Sequence, residues 1–111
     1  MLKPGNYEVL VYQGRSGSSP YLEWLEDLDE KTQDRILARA RRMARGQFGD
    51  CKAIGRGLYE LRLFFGPGYR VYFGEHQGRI ILILNGGDKS TQRKDIKRAK
   101  EYWESYLEDN T

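Results

Sequence analysis

The chain has 111 residues, of which 39% are hydrophobic and 32% charged, so it has enough apolar material for one modest core and too little length for two domains. Aromatic residues make up 13% of it, including eight tyrosines, which sets it apart from disordered chains. A net charge of +3 favours acidic partners, and a single cysteine, Cys51, excludes an internal disulfide and fits a reducing compartment.

The N-terminal segment Met1 to Asn6 lacks the apolar stretch of a signal peptide, and the longest apolar run, Ile80 to Leu84, is far too short to span a bilayer. The expectation is a soluble, cytoplasmic protein without membrane association. With His76 as the only histidine and no metal-ligand spacing around Cys51, neither a metal site nor a small-molecule cofactor is expected. His76 itself is expected in a solvated loop.

Tyr7 to Tyr12 alternates as a strand and ends at Gln13-Gly14, ahead of the Gly/Ser-rich loop 15–19. Ser19 followed by Pro20 marks a helix start, with Tyr21, Leu22, Leu25 and Leu28 on its buried side. Asp29 can cap a second helix, in which Ile36, Leu37, Ala40, Met43 and Ala44 recur at helical spacing before Gly46. The connection is so short that the two must form an antiparallel helical hairpin. Charge changes sign between them. From Tyr21 to Glu30 all charges are negative, whereas 31–56 carries Lys31, Arg35, Arg39, Arg41, Arg42, Arg45, Lys52 and Arg56 against Asp34 and Asp50 alone. Placed beside the hairpin described next, this basic half would form one continuous positive surface.

Three strands are expected next, Leu58 to Phe65, Tyr69 to Gly74 and Arg79 to Leu84. In the first two, Tyr59, Leu61, Leu63, Phe65, Tyr69, Val71 and Phe73 form a period-2 apolar face. Glu60, Arg62, Phe64, Arg70 and Tyr72 occupy the other face, expected to be solvated. With Gly66-Pro67-Gly68 as the loop, Phe65 would face Tyr69, Phe64 would face Arg70, and Arg62 would face Tyr72. Arginines and aromatics sharing a face suit a polyanion with stackable bases. The third strand is apolar on both faces, so it should be central or covered by a helix. Gly86-Gly87-Asp88 is expected to break it. A last helix from about Ser90 to Leu107 carries Ile96, Ala99, Trp103 and Tyr106 on one stripe, flanked by Arg93, Lys94, Lys97 and Arg98. Gly87-Asp88-Lys89-Ser90 is not a phosphate loop, since Asp88 separates the glycine from the lysine. The order is β-α-α-β-β-β-α. The fold class is α+β, one domain over 1–111, with an antiparallel-rich sheet against the helical hairpin and the C-terminal helix.

This order, the Tyr59-Glu60-Leu61-Arg62 and Gly68-Tyr69-Arg70-Val71-Tyr72-Phe73 strands, and Gly86-Gly87-Asp88-Lys89-Ser90-Thr91-Gln92 ahead of a helix resemble the RelE/ParE toxin superfamily. The likeness is greatest to its HigB-like, phage-derived branch of addiction-module killer proteins. The resemblance implies the toxin of a type II toxin–antitoxin system, an endoribonuclease cutting mRNA in the ribosomal A site. It also implies a cognate antitoxin, often of the helix-turn-helix type. The alternatives are a ParE-like inhibitor of DNA gyrase and a toxin-fold interaction protein without activity.

In the family pattern basic residues stand where Arg62, Arg70 and Lys89 stand here. Two positions depart from it: Glu60 replaces a basic residue, and Asp95 falls near a tyrosine of the last helix. The catalytic histidines of the HigB pattern are missing. Cleavage by 2′-OH attack gathers negative charge on the phosphate oxygens, which positioned guanidinium and ammonium groups stabilise. Arg62, Arg70 and Lys89 would form that clamp, and Glu60 could either take the 2′-OH proton or serve only as a salt-bridge partner that neutralises Arg62. Phe64 or Tyr72 could stack an unpaired base, with Lys52, Arg56 and Lys94 extending the RNA-binding surface. Arg35, Arg39 and Arg42 lie on one helical stripe and are expected to bind the antitoxin.

Overall fold

The structure, a computed structural model, describes residues 2–110. Its strands are β1 (Glu8–Val11), β2 (Cys51–Gly55), β3 (Leu58–Leu63), β4 (Tyr69–His76) and β5 (Ile80–Asp88). The helices are α1 (Pro20–Glu26), α2 (Glu30–Met43) and α3 (Gln92–Asp109), the last preceded by a 3-10 turn over Lys89–Thr91. The strands form one sheet in the order β1-β5-β4-β3-β2. β1 runs parallel to β5, and the other neighbours are antiparallel. The α+β class is as the sequence suggests, with one strand more than expected. That strand, β2, lies in a basic segment with little alternation and is held by its pairing to β3.

The helix starts follow their capping residues. The Ser19 side chain accepts from the Leu22 amide at 3.2 Å, and the Asp29 side chain accepts from the Thr32 amide at 3.3 Å and the Thr32 hydroxyl at 2.6 Å. α1 and α2 then pack on one face of the sheet. There Tyr21, Leu25, Ile36, Met43 and Phe48 meet the alternating Leu61, Leu63, Val71, Phe73, Ile81 and Ile83. Leu22 is the exception among the expected core positions, because it remains 43% exposed on the outer side of α1.

The opposite face is not solvated, contrary to the reading of the hairpin. α3 lies over it, burying Ala99 and Trp103 against Leu58, Tyr72, Leu82 and Leu84. As a central strand, β5 therefore feeds both cores, Ile81 and Ile83 into one and Leu82 and Leu84 into the other.

Three local differences from the expected elements decide the position of the site. The hairpin loop is longer than Gly66-Pro67-Gly68: Leu63 pairs with Tyr69, Arg62 with Arg70, and Glu60 with Tyr72. Gly66 at φ +57° and Gly68 at φ +79° take up the left-handed turns, and Phe64 and Phe65 leave the ladder. A shift of two residues keeps every side chain on its expected face but changes its partner. β4 runs on to His76, whose Nδ1 lies 3.0 Å from the Tyr106 hydroxyl, so His76 is packed against α3 rather than in a loop. Finally, β5 continues through Gly86, Gly87 and Asp88. These two glycines are extended, and their missing side chains admit α1 and α3. A Cβ on Gly86 would collide with the Trp24 ring, and one on Gly87 with the Asp95 carboxylate and Thr91 Oγ1.

Candidate nucleic-acid interface

β5 is slipped by one residue at the Tyr72/Phe73 step, where Tyr72 pairs with Asn85 and Phe73 with Ile83. The slip turns both Leu84 and Asn85 toward α3, and Asn85 Nδ2 donates to the Asp95 carbonyl at 3.1 Å. Two polar rows therefore cross the sheet beneath the start of α3. One runs Lys52, Glu60, Tyr72, Asn85; the next runs Arg62, Arg70, Gly87.

Glu60 is the hub. It is 1% exposed, and both its oxygens are engaged. Oε1 accepts from Arg62 Nε at 3.0 Å, while Oε2 accepts from Gln92 Nε2 at 2.8 Å and the Tyr72 hydroxyl at 3.2 Å. Arg70 Nε stands 3.9 Å from Oε2, an ion pair without a hydrogen bond. Burial pushes the Glu60 carboxyl up, but donation from Gln92, Arg62 and Tyr72, with the Arg62 charge, outweighs it and holds the group below its ordinary value. Burial, and then the adjacent Glu60 charge, push the Tyr72 phenol far above its usual range, so it stays a donor.

The geometry favours one of the two readings of Glu60 and corrects that of Tyr72. Glu60 is 1% exposed and both its oxygens are taken by Arg62, Gln92 and Tyr72, the geometry of a salt-bridge partner for the arginines, with neither oxygen open to a substrate hydroxyl. Tyr72 is wholly buried under α3, so it has no ring face to offer a base.

Two arginines side by side on neighbouring strands repel, a pairing that costs stability unless an anion is shared. Glu60 is that anion. Arg62 retains 31% of its side-chain exposure, whereas Arg70 is 9% exposed and donates Nη1 to the Gly68 carbonyl at 2.8 Å. Lys89 adjoins them: a Cβ on Gly68 would lie 3.2 Å from Arg70 Nη1 and 3.5 Å from Lys89 Cβ. Asp88 fixes the turn that carries Lys89 by accepting from the Ser90 amide at 2.8 Å, and the Ser90 side chain's donation holds its carboxyl below the ordinary range.

Not all expected contributors assemble at this place. Lys52 is in the row with Glu60 at the sheet's edge, and Lys94 lines a shallow basic cleft with Arg93 and Lys97 beyond Lys89. Arg56 lies in the turn before Leu58, at the far end of β3, roughly 20 Å from Arg62 at strand spacing. Its carbonyl accepts from Trp103 Nε1 at 3.1 Å, a packing role. On α2 the stripe is partly engaged. The Arg35 guanidinium carbon sits 3.7 Å above the Phe65 ring, and Arg39 Nη2 donates to the Phe48 carbonyl at 3.3 Å. Arg42 is exposed and shares a cleft with Arg62 and Phe64. Gln92 and Asn85 are the polar residues missed in the sequence. Their only signal is location, Gln92 three residues after Lys89 at a helix start, and nothing in the spacing reveals that it faces Glu60.

Residues 23–104 match the family described as phage-derived protein Gp49-like. The chain belongs to that family. The matched span contains Glu60, Arg62, Arg70, Lys89, Gln92 and the α2 arginines, and leaves β1 outside. A relative from Haemophilus influenzae (strain Rd), named only as an uncharacterized protein, is 47% identical over 78 residues, covering 69% of this chain and 79% of its own length. Among the described residues of this Gp49-like chain, no helix is long and apolar enough to cross a membrane.

Proposed function

We propose that this Gp49-like chain is the toxin of a type II toxin–antitoxin pair, related to the RelE/ParE superfamily and its HigB-like branch. In this reading residues 1–111 form one toxin domain that cleaves mRNA in the ribosomal A site. The observation that carries the reading is the direct Arg62–Arg70 pair held by a buried Glu60. A stable sheet has no need of two guanidiniums in one cross-strand pair. An enzyme that must stabilise a phosphoryl transition state does.

The proposed chemistry is an in-line displacement. The 2′-oxygen loses its proton and bonds to phosphorus as the P–O5′ bond breaks, and the departing 5′-oxygen takes up a proton. Arg62 and Arg70 stabilise the charge on the non-bridging oxygens as it grows, with Lys89 beside them. Glu60, Tyr72 and Gln92 position the guanidiniums beforehand, so little reorganisation accompanies the reaction. Arg70 Nε has no hydrogen-bond partner although it is buried, and such a donor is costly in an ordinary core. Its tolerance supports a group arranged for a ligand. The antitoxin is proposed to dock over α2 around Arg42, blocking access to Arg62.

Mapping of RNA ends after induced expression, with and without active translation, tests the reading. Cuts inside translated codons, lost in an Arg62→Ala variant, are expected. DNA breaks without RNA cuts would indicate gyrase as the target, and neither lesion would mean a chain without toxin activity.

A further inference from the structure

On the side of Arg62 away from Arg70, the surface opens into a cleft of about 410 Å³ lined by Arg39, Arg42, Gln47, Asp50, Phe64 and Arg62 itself. The last turns of α2, the turn before β2 and the hairpin loop meet there. Arg39 is held in place rather than waving in solvent: its Nη2 is bonded to the Phe48 carbonyl, and the same end of the guanidinium lies against Gly49. Gly49 has φ +68°, which favours glycine, and the absence of a Cβ leaves the Arg39 Nη2 its place. Arg42, one helical turn along, reaches the same cleft.

Phe64 forms the opposite lip and is 79% exposed, the most exposed of the large hydrophobic side chains among the described residues. Its neighbour Phe65 packs on the first core and under Arg35. Phe64 gains nothing of the kind. A lone exposed apolar residue needs no explanation by itself. One that borders a cleft holding three guanidiniums has the makings of a stacking platform beside a phosphate site.

We infer that this cleft is a second nucleotide subsite, which binds single-stranded RNA next to the phosphate held by Arg62 and Arg70. The inference rests on the reading of the Arg62–Arg70 pair as a phosphate clamp and adds the path of the strand. The flanking phosphate lies against Arg39 and Arg42, and the attached base stacks on Phe64. Asp50 repels a phosphate and accepts from an exocyclic amine, so the edge of the base, not the backbone, faces Asp50 and Gln47. Apart from Gly49 and Phe64, the lining residues are charged or amide side chains, and the single ring at the lip offers a π-face rather than the apolar stripe that a docked protein helix would bury. On the other side of the clamp, Lys89 and the Arg93, Lys94 and Lys97 cluster continue the positive track. The strand therefore crosses the open end of the sheet from α3 to α2.

The test uses the intact protein and an end-labelled, single-stranded 2′-O-methyl RNA, which binds but cannot be cut, read by fluorescence anisotropy across a salt series. Arg42→Ala should weaken binding and flatten the salt dependence by about 0.7 in log–log slope, the loss of one single-strand phosphate contact. Phe64→Ala should weaken binding roughly ten-fold with the slope unchanged, because stacking releases no counterions. Both residues are exposed, so the variants should keep the wild-type circular dichroism and melting temperature. Wild-type affinity and slope in both variants would overturn the subsite. If that occurs while the wild type still cuts RNA on ribosomes, the nuclease reading stands and only the strand path is wrong. If both variants lose binding but no RNA is ever cut, the subsite stands without the nuclease.

Discussion

Replacing Glu60 with glutamine separates an anchor from a base. The two side chains are nearly the same size, so no cavity is made. The perturbation is the loss of one charge and the exchange of one acceptor for a donor beneath Arg62, Tyr72 and Gln92. The most favourable rearrangement points the amide oxygen at Arg62 Nε and the amide nitrogen at Tyr72 and Gln92, whose own amide can turn to accept. Hydrogen bonds then survive as neutral ones, each weaker than its charged counterpart by about 1 kcal/mol. Three such bonds give about 3 kcal/mol, the lower end of what removing one member of a buried ion pair costs. For a chain of this size that is a drop of about 13 °C in melting temperature.

The effect should depend on pH in a definite direction. The folded-state Glu60 carboxyl lies below its ordinary value, so its contribution is present above the unfolded carboxyl's pKa and is lost as pH falls through the folded one. The stability gap between wild type and Glu60→Gln should thus be full at neutral pH and close on acidification below the usual carboxylate range. Thermal melts at a series of pH values measure it, with single-turnover cleavage on programmed ribosomes alongside. An anchor predicts lost stability, with the rate reduced only as far as the arginines loosen. Wild-type stability at every pH combined with a roughly 10²–10⁴-fold slower chemical step would refute the anchor and restore Glu60 as the base.

Arg62→Ala should abolish growth inhibition, since one charge removed from a phosphoryl transition state costs about 2.7–4 kcal/mol; because it also takes the 3.0 Å partner from buried Glu60, melting is measured alongside, and full toxicity at equal folded level would eliminate the clamp. Arg70→Ala should abolish it as well, but Arg70 is buried and its removal also destabilises the protein, so Arg70→Lys, assayed by melting and toxicity together, is the sharper variant. Gly87→Ala should cost about 1–3 kcal/mol by pushing the start of α3 off the sheet, and because Gln92 moves with it, toxicity should fall further than stability alone explains; a variant with wild-type melting would show that α3 accommodates the methyl group. Arg42→Glu should weaken antitoxin binding in titration calorimetry, whereas Arg56→Glu, at the far end of the sheet, should not; equal effects would place the antitoxin elsewhere.

Much of this fold could be read from periodicity and punctuation. Ser19-Pro20 and Asp29 began their helices because capping is a local matter, decided within one turn. The apolar face of the hairpin was legible because period 2 survives any register. Its register was not, because Gly66-Pro67-Gly68 serves a three-residue loop as well as the longer one observed. The burial of the second face was hidden for a similar reason. Arg62 and Arg70 look like solvated positions in a strand, and only the placement of α3 over the sheet makes Glu60 and Tyr72 interior. Gly86-Gly87 looked like a stop because glycine usually weakens a strand. Here the glycines remain extended, and their role is to accept Trp24 and Asp95 from opposite sides, a requirement set by residues distant in sequence.

The position of the arginines follows from where α3 begins. Toward the Gly74 end of the sheet, Trp103 lies flat on the glycine and the second face is closed. Toward the hairpin the helix starts only at Gln92, and the face opens. Exposure rises across this boundary, from 1% at Glu60 to 9% at Arg70 and 31% for the side chain of Arg62. A charge at such an edge has core on one side and solvent on the other. Its field toward an incoming phosphate is screened less than on an open surface, yet its guanidinium remains within reach. Glu60, one step further in, is 1% exposed and so acts on its protein partners, the arginines with Tyr72 and Gln92. A third cation at this sealed position would repel the other two, whereas a carboxylate there holds them in register.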